Sequence, residues 1–475
     1  MVNSSGSKYL HLRLSVYLLN EFIIIPEIEK PMEYSSRLQN VAVLGAAGKM
    51  GSGILLLTAL EIADQMLKPE NKGKTFVLHA VDLVPTGLSG LLKYLKSQIQ
   101  KSAEKKVVLL RKVYADNADL IENSDIIDAY VADVLSFIHL SGRIEVAFDS
   151  TLIFEAVSEN MALKTKLFRQ INGNNPNQPW FFTNTSSIPI SELDEAAALE
   201  GRILGFHFYN PPAVQKLVEL ITIPHNSTDI TAFAKTFAAK LRKTLVQSND
   251  IAGFIGNGHF MRDALYGIKQ AQELSKKMPL IQAIYTLNRV TQDFLMRPMG
   301  IFQLIDYVGL DVVQFILRVM ASHMPKETLQ SELLDELIMK GIRGGQFSDG
   351  SQKDGFMKYE KGKIVALIDR ETMDYLPISE ISQQADVVVG KLPSQALSWK
   401  TLIKSVNKDN FLHSYFKQLC MEQTLGANLA FDFALNSKAI GLKLIADGVA
   451  ANKEDVNTVL LTGFFHAYGP INDYI

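Results

Sequence analysis

Short runs of consecutive apolar residues, separated by longer amphipathic stretches, occupy the first half of the chain. The first run is Asn40–Leu44, and others follow at 75–83, 150–160 and 180–183. A strand that is buried on both faces reads as a continuous apolar run, whereas apolar residues at intervals of three and four indicate a helix. The alternation of these two patterns predicts an α/β domain with a mainly parallel, doubly wound sheet.

The pattern changes in the second half. From Phe254 onward the apolar residues recur at helical spacing and strands nearly vanish, so we predict a domain boundary close to Asp250. PMGIF around Gly300 is echoed by AYGPI around Gly469, and each follows a long apolar helix, which predicts an all-α domain of two helical repeats. The polar segment 344–363 reads as a surface loop between them. The predicted units are an N-terminal extension at 1–37, the α/β domain at 38–249, the first repeat at 250–370 and the second at 371–475.

Composition and charge narrow the class of protein. A chain of 475 residues is too long for one ordinary core and suggests two or three domains. It has 47% hydrophobic and 21% charged residues, with no run of eighteen apolar residues to span a membrane. The net charge of -2 argues against a nucleic-acid partner. Cys420 is the single cysteine, which excludes an intrachain disulfide and a cysteine-based metal cluster and fits a reducing cytoplasm. We predict no metal and no membrane partner.

An apolar run, LSVYLLNEFIII, lies near the start of the chain. Arg13 precedes it, as in a secretory signal, but Glu21 interrupts it and no small-residue cleavage site follows. We therefore predict that it is not a signal. Residues 1–31 are expected to be an appendage or a misassigned start, with Met32 as the alternative first residue.

A glycine-rich turn joins the first apolar run to a helical stretch. Strand, glycine turn and helix are the opening of a dinucleotide-binding unit of the Rossmann type, in which glycines let the backbone approach a pyrophosphate and the helix N-terminus supplies N–H groups. The spacing here is G-x-x-G-x-x-G, one residue longer than the usual fingerprint, and a purely structural turn could also use it. The predicted cofactor-binding residues of this turn are Gly45, Gly48, Lys49, Met50 and Gly51.

Asp82 ends the second apolar run. An acid at this place can accept hydrogen bonds from both hydroxyls of an adenosine ribose and would repel a 2'-phosphate, which favours NAD over NADP. Its distance from Gly51 is longer than the usual twenty or so residues, and the extra length fits a longer first helix plus a polar loop. The structural alternative is that Asp82 is simply a turn residue at a strand end.

A histidine and an acid lie on either side of a Pro-Pro break, in GFHFYNPPAVQKLVEL. Twelve positions separate His207 from Glu219, and a turn between two short extended runs would bring the second back beside the first. A carboxylate against an imidazole holds one ring nitrogen as a donor and leaves the other free to take a proton near neutral pH. The alternative is a core histidine that is satisfied by backbone groups.

This segment resembles the HFFNP-x-x-x-x-KLVE signature of the 3-hydroxyacyl-CoA dehydrogenase family. Further motifs of that family follow the same order: E-A-x-x-E-N with a lysine five residues beyond the second acid, S-N-T-S-S, D-x-P-G-F-I-x-N-R and P-M-G-P-F. The resemblance runs from about residue 40 to the end. In the fourth motif this chain has Ala252 for the proline and Gly258 for the arginine.

The resemblance implies NAD-dependent oxidation of a 3-hydroxyacyl-CoA, or the reverse reduction, as in fatty-acid β-oxidation or butyryl metabolism. His207 would be the base, with Glu219 orienting it. Ser186 and Asn257 would hold the reacting oxygen, and Asn210 would brace the substrate site. The cofactor contacts would extend to Glu159, Lys164 and Asn184. Single-repeat members of the family pair through the helical domain, so either a homodimer or a pseudo-dimeric monomer is expected.

Two other functions stay open. One is a dehydrogenase of the same fold that acts on a non-CoA hydroxy acid, since no stretch identifies a CoA pocket. The other is a catalytically altered NAD-binding scaffold. The variant glycine spacing and Gly258, in place of the motif's arginine, are consistent with it. Glu159 could instead cap a helix, and His259 is a rival base that has no acid partner in the sequence.

Overall fold

The computed structural model describes residues 33–347 and 350–475, so the prediction for residues 1–31 lies outside the described residues. The first described residues form a single-turn helix, Tyr34–Leu38, that packs on the following domain. The Tyr34 ring stacks on Phe233 with centroids 5.0 Å apart, and the Arg37 guanidinium lies 3.9 Å from the centre of the Trp180 ring. Residues 34–37 therefore pack as part of the α/β domain.

The α/β domain is built on one eight-stranded sheet, in the order β3-β2-β1-β4-β5-β6-β7-β8. All neighbouring strands are parallel except β6 and β7. This order is doubly wound, and the sequence starts at its centre and leaves toward both edges. The strands are β1 Asn40–Leu44, β2 Val77–Val81, β3 Ile138–Ser141, β4 Leu152–Glu155, β5 Trp180–Thr183, β6 Ile203–Phe208, β7 Leu217–Ile221 and β8 Thr244–Ser248.

Helices cover both faces of this sheet, which is why its central strands are mostly apolar. β4, β5, β6 and β7 are buried at every position. The segment 115–148 forms α3 and then β3, which extends the sheet at one edge. The helices of the domain are α1 Lys49–Met66, α2 Pro85–Val113, α3 Asn123–Ser136, α4 Met161–Asn174, α5 Ile190–Ala197 and α6 Thr228–Lys240.

The rest of the chain is predominantly helical, as the apolar spacing after Phe254 predicts. Its first helix begins six residues beyond the predicted boundary at Asp250. A π-helical turn, Val290–Phe294, follows α8. The helices are α7 Gly256–Leu274, α8 Leu280–Arg289, α9 Ile301–Val308, α10 Leu310–His323, α11 Glu332–Met339, α12 Ile378–Val389, α13 Trp399–Leu402, α14 Lys408–Met421, α15 Leu425–Ala446 and α16 Lys453–Gly463. In the described part of the chain, no helix has the length and apolar character that crossing a membrane requires.

The same local contact occurs in both halves of the helical region. A Cβ on Gly300 would lie 2.3 Å from Asn288 Oδ1, and a Cβ on Gly469 would lie 2.3 Å from Asn457 Oδ1. Each asparagine oxygen accepts a backbone N–H just beyond its glycine, from Gln303 at 2.9 Å and from Ile471 at 3.0 Å. An asparagine therefore packs against a glycine twelve residues later in both halves, which supports two related repeats.

Between the repeats lies a small antiparallel sheet that the sequence interpretation did not anticipate. The predicted loop 344–363 is wrong over its last residues, because Met357–Glu360 (β9) and Lys363–Ile368 (β10) pair as strands and Tyr375–Pro377 (β11) adds a third. The buried carboxylate of Asp306 anchors it by accepting hydrogen bonds from Phe356 N, Met357 N and the Tyr359 hydroxyl at 2.6 to 2.9 Å. A contact across fifty residues leaves no local pattern.

Candidate active site

The β6–β7 hairpin places His207 directly opposite Glu219 in the antiparallel register. His207 Nδ1 lies 3.4 Å from Glu219 Oε1, and the two residues are 8% and 0% exposed. The Pro-Pro segment between them forms the connection that reverses the chain. A buried acid beside an imidazole stabilises the protonated ring, which a general base requires.

Three other donors already occupy the Glu219 carboxylate. Oε2 accepts the backbone N–H of Ile255 at 3.0 Å, and Oε1 accepts that of Gly256 at 3.4 Å, where helix α7 begins. The Tyr209 hydroxyl donates to Oε1 at 2.6 Å. Burial, reinforced by the charge of Glu219, raises the pKa of Tyr209 well above its usual value, so this hydroxyl keeps its proton and stays a donor.

His207 Nδ1 itself has no aligned hydrogen bond. It lies within 4 Å of the carboxylate, so the contact is electrostatic, but the donor and acceptor directions do not match. Catalytic hydrogen bonds in proteins without bound substrate are often long and tighten when the substrate binds. The contact with Glu219 involves Nδ1 and leaves the second ring nitrogen, Nε2, outside it.

Ser186 and Asn257, from the end of β5 and the start of α7, are joined across the domain boundary. Asn257 Nδ2 donates to the Ser186 carbonyl oxygen at 3.0 Å. Asn184 Oδ1 accepts the N–H of Phe208 at 2.8 Å, next to the histidine in the chain. These bonds tie the polar turn after β5 to both the histidine strand and the helical region.

Glu159 lies four residues beyond the end of β4, not at its end as the continuous apolar run suggested. Its Oε1 accepts the Ser186 N–H at 2.9 Å and the Thr185 hydroxyl at 2.6 Å. Burial alone would raise the pKa of Glu159, but the charge of Lys164 and these hydrogen bonds lower it below the usual value. The Asn160 side chain caps helix α4, so the alternative role of Glu159 as that cap is not what the structure has.

Lys164 lies behind Glu159 and is 1% exposed. Its Nζ contacts Glu159 Oε2 at 3.2 Å and both oxygens of Glu155, at 2.7 and 2.8 Å. Burial would lower the pKa of Lys164, but the two carboxylates raise it, so the ammonium stays charged. The sequence interpretation missed Glu155, although it is the first acid of the E-A-x-x-E-N motif and could have been found there.

A cavity of about 410 Å³ opens beside His207. Part of its lining is polar and includes most of the residues predicted for the substrate and part of the cofactor set. The rest of its lining is mainly apolar, and the second repeat contributes to it. The polar lining has Lys49, Glu159, Asn184, Ser186, Asn210 and Asn257, and Met50 lies beside them. The apolar lining has Phe260, Val308, Val312, Ile316, Phe464 and Phe465.

A second cavity, of about 320 Å³, lies at the carboxyl ends of β1, β2 and β4. Gly45, Gly48 and Asp82 line it, and Ala156 and Val157 line both cavities, so the two are adjacent. Gly51 packs beneath the turn, since a Cβ there would lie 2.0 Å from the Gly45 carbonyl oxygen.

This second cavity fits a dinucleotide. No side chain caps the N-terminus of α1 at Gly48, so its first N–H groups are available to a pyrophosphate. A Cβ on Gly45 would lie 2.6 Å from the Ala156 carbonyl oxygen, so only glycine permits this approach of two loops at its φ of 74°. Asp82 accepts the N–H groups of Ala47 and Val84 and keeps lone pairs on both oxygens for hydroxyl donors.

Lys49 and Asn210 line the first cavity, whereas His259 does not. Lys49 bonds the side chain of Gln346, which also lies 3.4 Å from Asn210 Nδ2, so a loop of the helical region reaches the glycine turn. His259, the rival base, is 1% exposed, and its Nε2 contacts the Ser437 carbonyl oxygen at 3.1 Å between the repeats. It does not line either cavity.

In a comparison with known proteins, two family models match this chain. The 3-hydroxyacyl-CoA dehydrogenase NAD binding domain matches residues 40–251, and the 3-hydroxyacyl-CoA dehydrogenase C-terminal domain matches residues 281–359. The chain is 30% identical over 327 residues to a probable 3-hydroxyacyl-CoA dehydrogenase of Caenorhabditis elegans, covering 68% of this chain and 97% of that protein. It is 29% identical over 331 residues to a probable 3-hydroxybutyryl-CoA dehydrogenase of Bacillus subtilis, covering 68% of this chain and 98% of that protein.

Among solved structures, the crystal structure of 3-hydroxybutyryl-CoA dehydrogenase from Escherichia coli superposes with a TM-score of 0.60. The identity is 19%, and the match covers 91% of this chain and 90% of that chain. The likeness therefore shows a shared fold that extends over both repeats.

The family models and the curated relatives identify an NAD-dependent dehydrogenase. The chain belongs to the 3-hydroxyacyl-CoA dehydrogenase family. The predictions of a Rossmann-type domain followed by a helical domain, of NAD as cofactor and of NAD-dependent oxidation of a 3-hydroxyacyl-CoA are confirmed at the level of the family.

Proposed function

We propose that the cavity beside His207 is where this chain oxidises a 3-hydroxyacyl-CoA to the 3-oxoacyl-CoA, with His207 as the general base. The observation that carries the proposal is the pairing of His207 with the fully buried Glu219, 3.4 Å apart, in a cavity adjacent to the one that fits the dinucleotide. NAD, when bound, accepts a hydride from C3 of the substrate.

In the oxidative direction, His207 Nε2 takes the proton of the C3 hydroxyl as the C3 hydride leaves. Glu219 faces the other nitrogen and stabilises the imidazolium that forms. Ser186 and Asn257 hold the reacting oxygen, and the bond between Asn257 Nδ2 and the Ser186 carbonyl keeps the two residues together. The alcohol is thereby fixed between the base and the hydride acceptor. Proton transfer and hydride transfer both require this geometry.

The apolar lining of the same cavity accepts the acyl chain. Phe260 and Ile316 are each 2% exposed and form its inner wall, while Val312 and Phe465 are 44% and 47% exposed at its rim. An apolar pocket with a few convergent polar groups suits an acyl thioester better than a short, highly polar hydroxy acid. This favours a CoA ester over the alternative of a non-CoA hydroxy acid.

The second repeat takes the place of a partner subunit, so the chain works as a pseudo-dimeric monomer. Gly463 to Phe465, at the end of α16, line the cavity, and Gln215 Nε2 donates to the Gly463 carbonyl oxygen at 2.9 Å. The Gly258 departure from the family motif fits this packing, because a Cβ there would lie 3.0 Å from Leu444 of the second repeat. Sedimentation of the purified chain tests the proposal, and a stable dimer would contradict it.

We propose that the protein is located in the cytoplasm, which is a reducing compartment. Its support is the single, exposed Cys420, which cannot form an intrachain disulfide. Fractionation of the native cells with an antibody against the chain tests this.

The deciding assay follows NADH at 340 nm with acetoacetyl-CoA. Turnover that is lost in His207→Gln would support the assignment. A parent protein that binds NADH but shows no turnover would instead favour the catalytically altered scaffold.

A further inference from the structure

The Tyr209 hydroxyl contacts the Glu219 carboxylate, which also faces His207. It donates to Glu219 Oε1 at 2.6 Å, shorter than the 3.4 Å between His207 Nδ1 and the same oxygen. The HFFNP signature that this segment resembles has phenylalanine at the position of Tyr209.

A glycine across the domain boundary makes room for the hydroxyl. A Cβ on Gly256 would lie 1.8 Å from Tyr209 Oη and 3.0 Å from Glu219 Oε1. Any other residue at the start of α7 would therefore displace the tyrosine. Tyr209 and Gly256 form a matched pair that only this folding of the two domains brings together.

The second repeat holds the Tyr209 ring in this position. A Cβ on Gly463 would lie 2.7 Å from Tyr209 Cε1, so the end of α16 packs directly against the ring. The Phe464 ring meets it edge to face with centroids 5.9 Å apart, and the His207 ring lies 4.9 Å away on another side. Because the Tyr209 ring is enclosed, its hydroxyl is directed to Glu219.

This donor changes what Glu219 can do for the histidine. Oε1 receives both the hydroxyl and the Gly256 N–H, and Nδ1 of His207 is left without an aligned hydrogen bond. A carboxylate whose charge is spread over other donors stabilises an imidazolium less than one that is free to pair with it. Without the hydroxyl, more of the Glu219 charge would face the imidazole.

We propose that Tyr209 is a positioning residue that holds Glu219 and thereby sets the pH range over which His207 acts as a base. The proposal rests on the function proposed for His207 above. The titratable groups around the imidazole are Glu219 on β7, Tyr209 beside it in the chain, and Lys49, Glu159 and Tyr307, which line the same cavity from α1, the turn after β4 and α9.

The first test is Tyr209→Phe, which removes the hydroxyl and keeps the ring. The acidic limb of the pH profile of kcat/KM for 3-hydroxybutyryl-CoA oxidation should move to higher pH by about one unit, the size expected when one hydrogen bond to an ionised group is released. The KM for NAD should stay unchanged. Tyr468→Phe is the matched control, since Tyr468 is a buried tyrosine whose hydroxyl donates to the Leu295 carbonyl at 2.9 Å, and its profile should overlay the parent's.

The second test uses the matched pair. Gly256→Ala alone should lose at least tenfold in kcat, because its Cβ displaces the hydroxyl, whereas Tyr209→Phe with Gly256→Ala should recover most of that loss. A Tyr209→Phe profile that overlays the parent's, or a double variant no better than Gly256→Ala, would overturn the proposal. An inactive parent would instead overturn the proposed function, so the two failures are distinguishable.

Discussion

Lys164 Nζ lies 2.7 Å from Glu155 Oε1, and the two side chains are 1% and 0% exposed. This ion pair is enclosed beneath the turn that carries Glu159, whose carboxylate in turn holds the Ser186 N–H. The end of β4 and the polar turn after β5 are thus joined through Glu155 and Lys164, which have almost no contact with water. Removing Glu155 would leave Lys164 buried with the Glu159 carboxylate, 3.2 Å away, still facing it.

Glu155→Gln should therefore lower the free energy of unfolding by up to about 3 kcal/mol, the low end for a broken buried pair, because Glu159 still faces Lys164. Urea denaturation followed by circular dichroism measures this. Glu104→Gln, on the exposed surface of α2, is the control and should change little. The double variant Glu155→Gln with Lys164→Met should be less destabilised than Glu155→Gln alone, and equal losses would show that no buried charge is involved.

His207→Gln should keep the fold and NAD binding but lower kcat/KM by at least about 10²-fold, because it removes the general base. NADH consumption with acetoacetyl-CoA measures the loss, and NADH titration measures the binding. His225→Gln, an exposed histidine after β7, should behave as the parent. Unchanged turnover in His207→Gln would refute the role of the histidine.

Asp82→Ala should weaken NAD binding and relax the rejection of NADP. The carboxylate lines the second cavity, where it would accept hydrogen bonds from ribose hydroxyls and repel a 2'-phosphate. The ratio of kcat/KM for NAD to that for NADP is the measurement, with the exposed Asp116→Ala as control. If the preference for NAD stays the same in Asp82→Ala, the cofactor assignment of this residue is wrong.

Acid should destabilise the interface between the repeats through His259. Burial lowers the pKa of His259, Asp263 opposes this and Arg297 adds to it, so the folded protein keeps the ring neutral. The unfolded chain takes up the proton first, and the free energy of unfolding should fall by up to about 1.4 kcal/mol per pH unit below about pH 6.5. His259→Gln should show a shallower slope between pH 7.5 and 5.5, and an identical slope would exclude this residue as the cause.

Phe465→Ala should shift acyl-chain preference. The side chain stands at the rim of the apolar lining of the cavity and is 47% exposed, so its removal opens that end with little loss of core packing. We expect kcat/KM for a decanoyl-length substrate to rise about tenfold relative to a butyryl-length substrate, the size typical of apolar pocket changes. A parallel change for all chain lengths would place the acyl chain elsewhere.

The local features of this protein could be predicted from the sequence. Apolar runs predict strands such as Asn40–Leu44, the glycine turn predicts the start of α1, and the Pro-Pro break predicts the hairpin that sets His207 opposite Glu219. Each depends on residues at most about a dozen positions apart, so periodicity and turn chemistry are enough.

Only the tertiary structure decided the contacts between distant segments. The space that Gly256 leaves for the Tyr209 hydroxyl and the closing of the cavity by Phe464 each join elements whose approach no local pattern reveals. The sheet order, the seating of α7 at its edge and the docking of the second repeat determine these distances. Such packing is a property of the whole fold, because a side chain finds its partner only after the backbones around it have been placed.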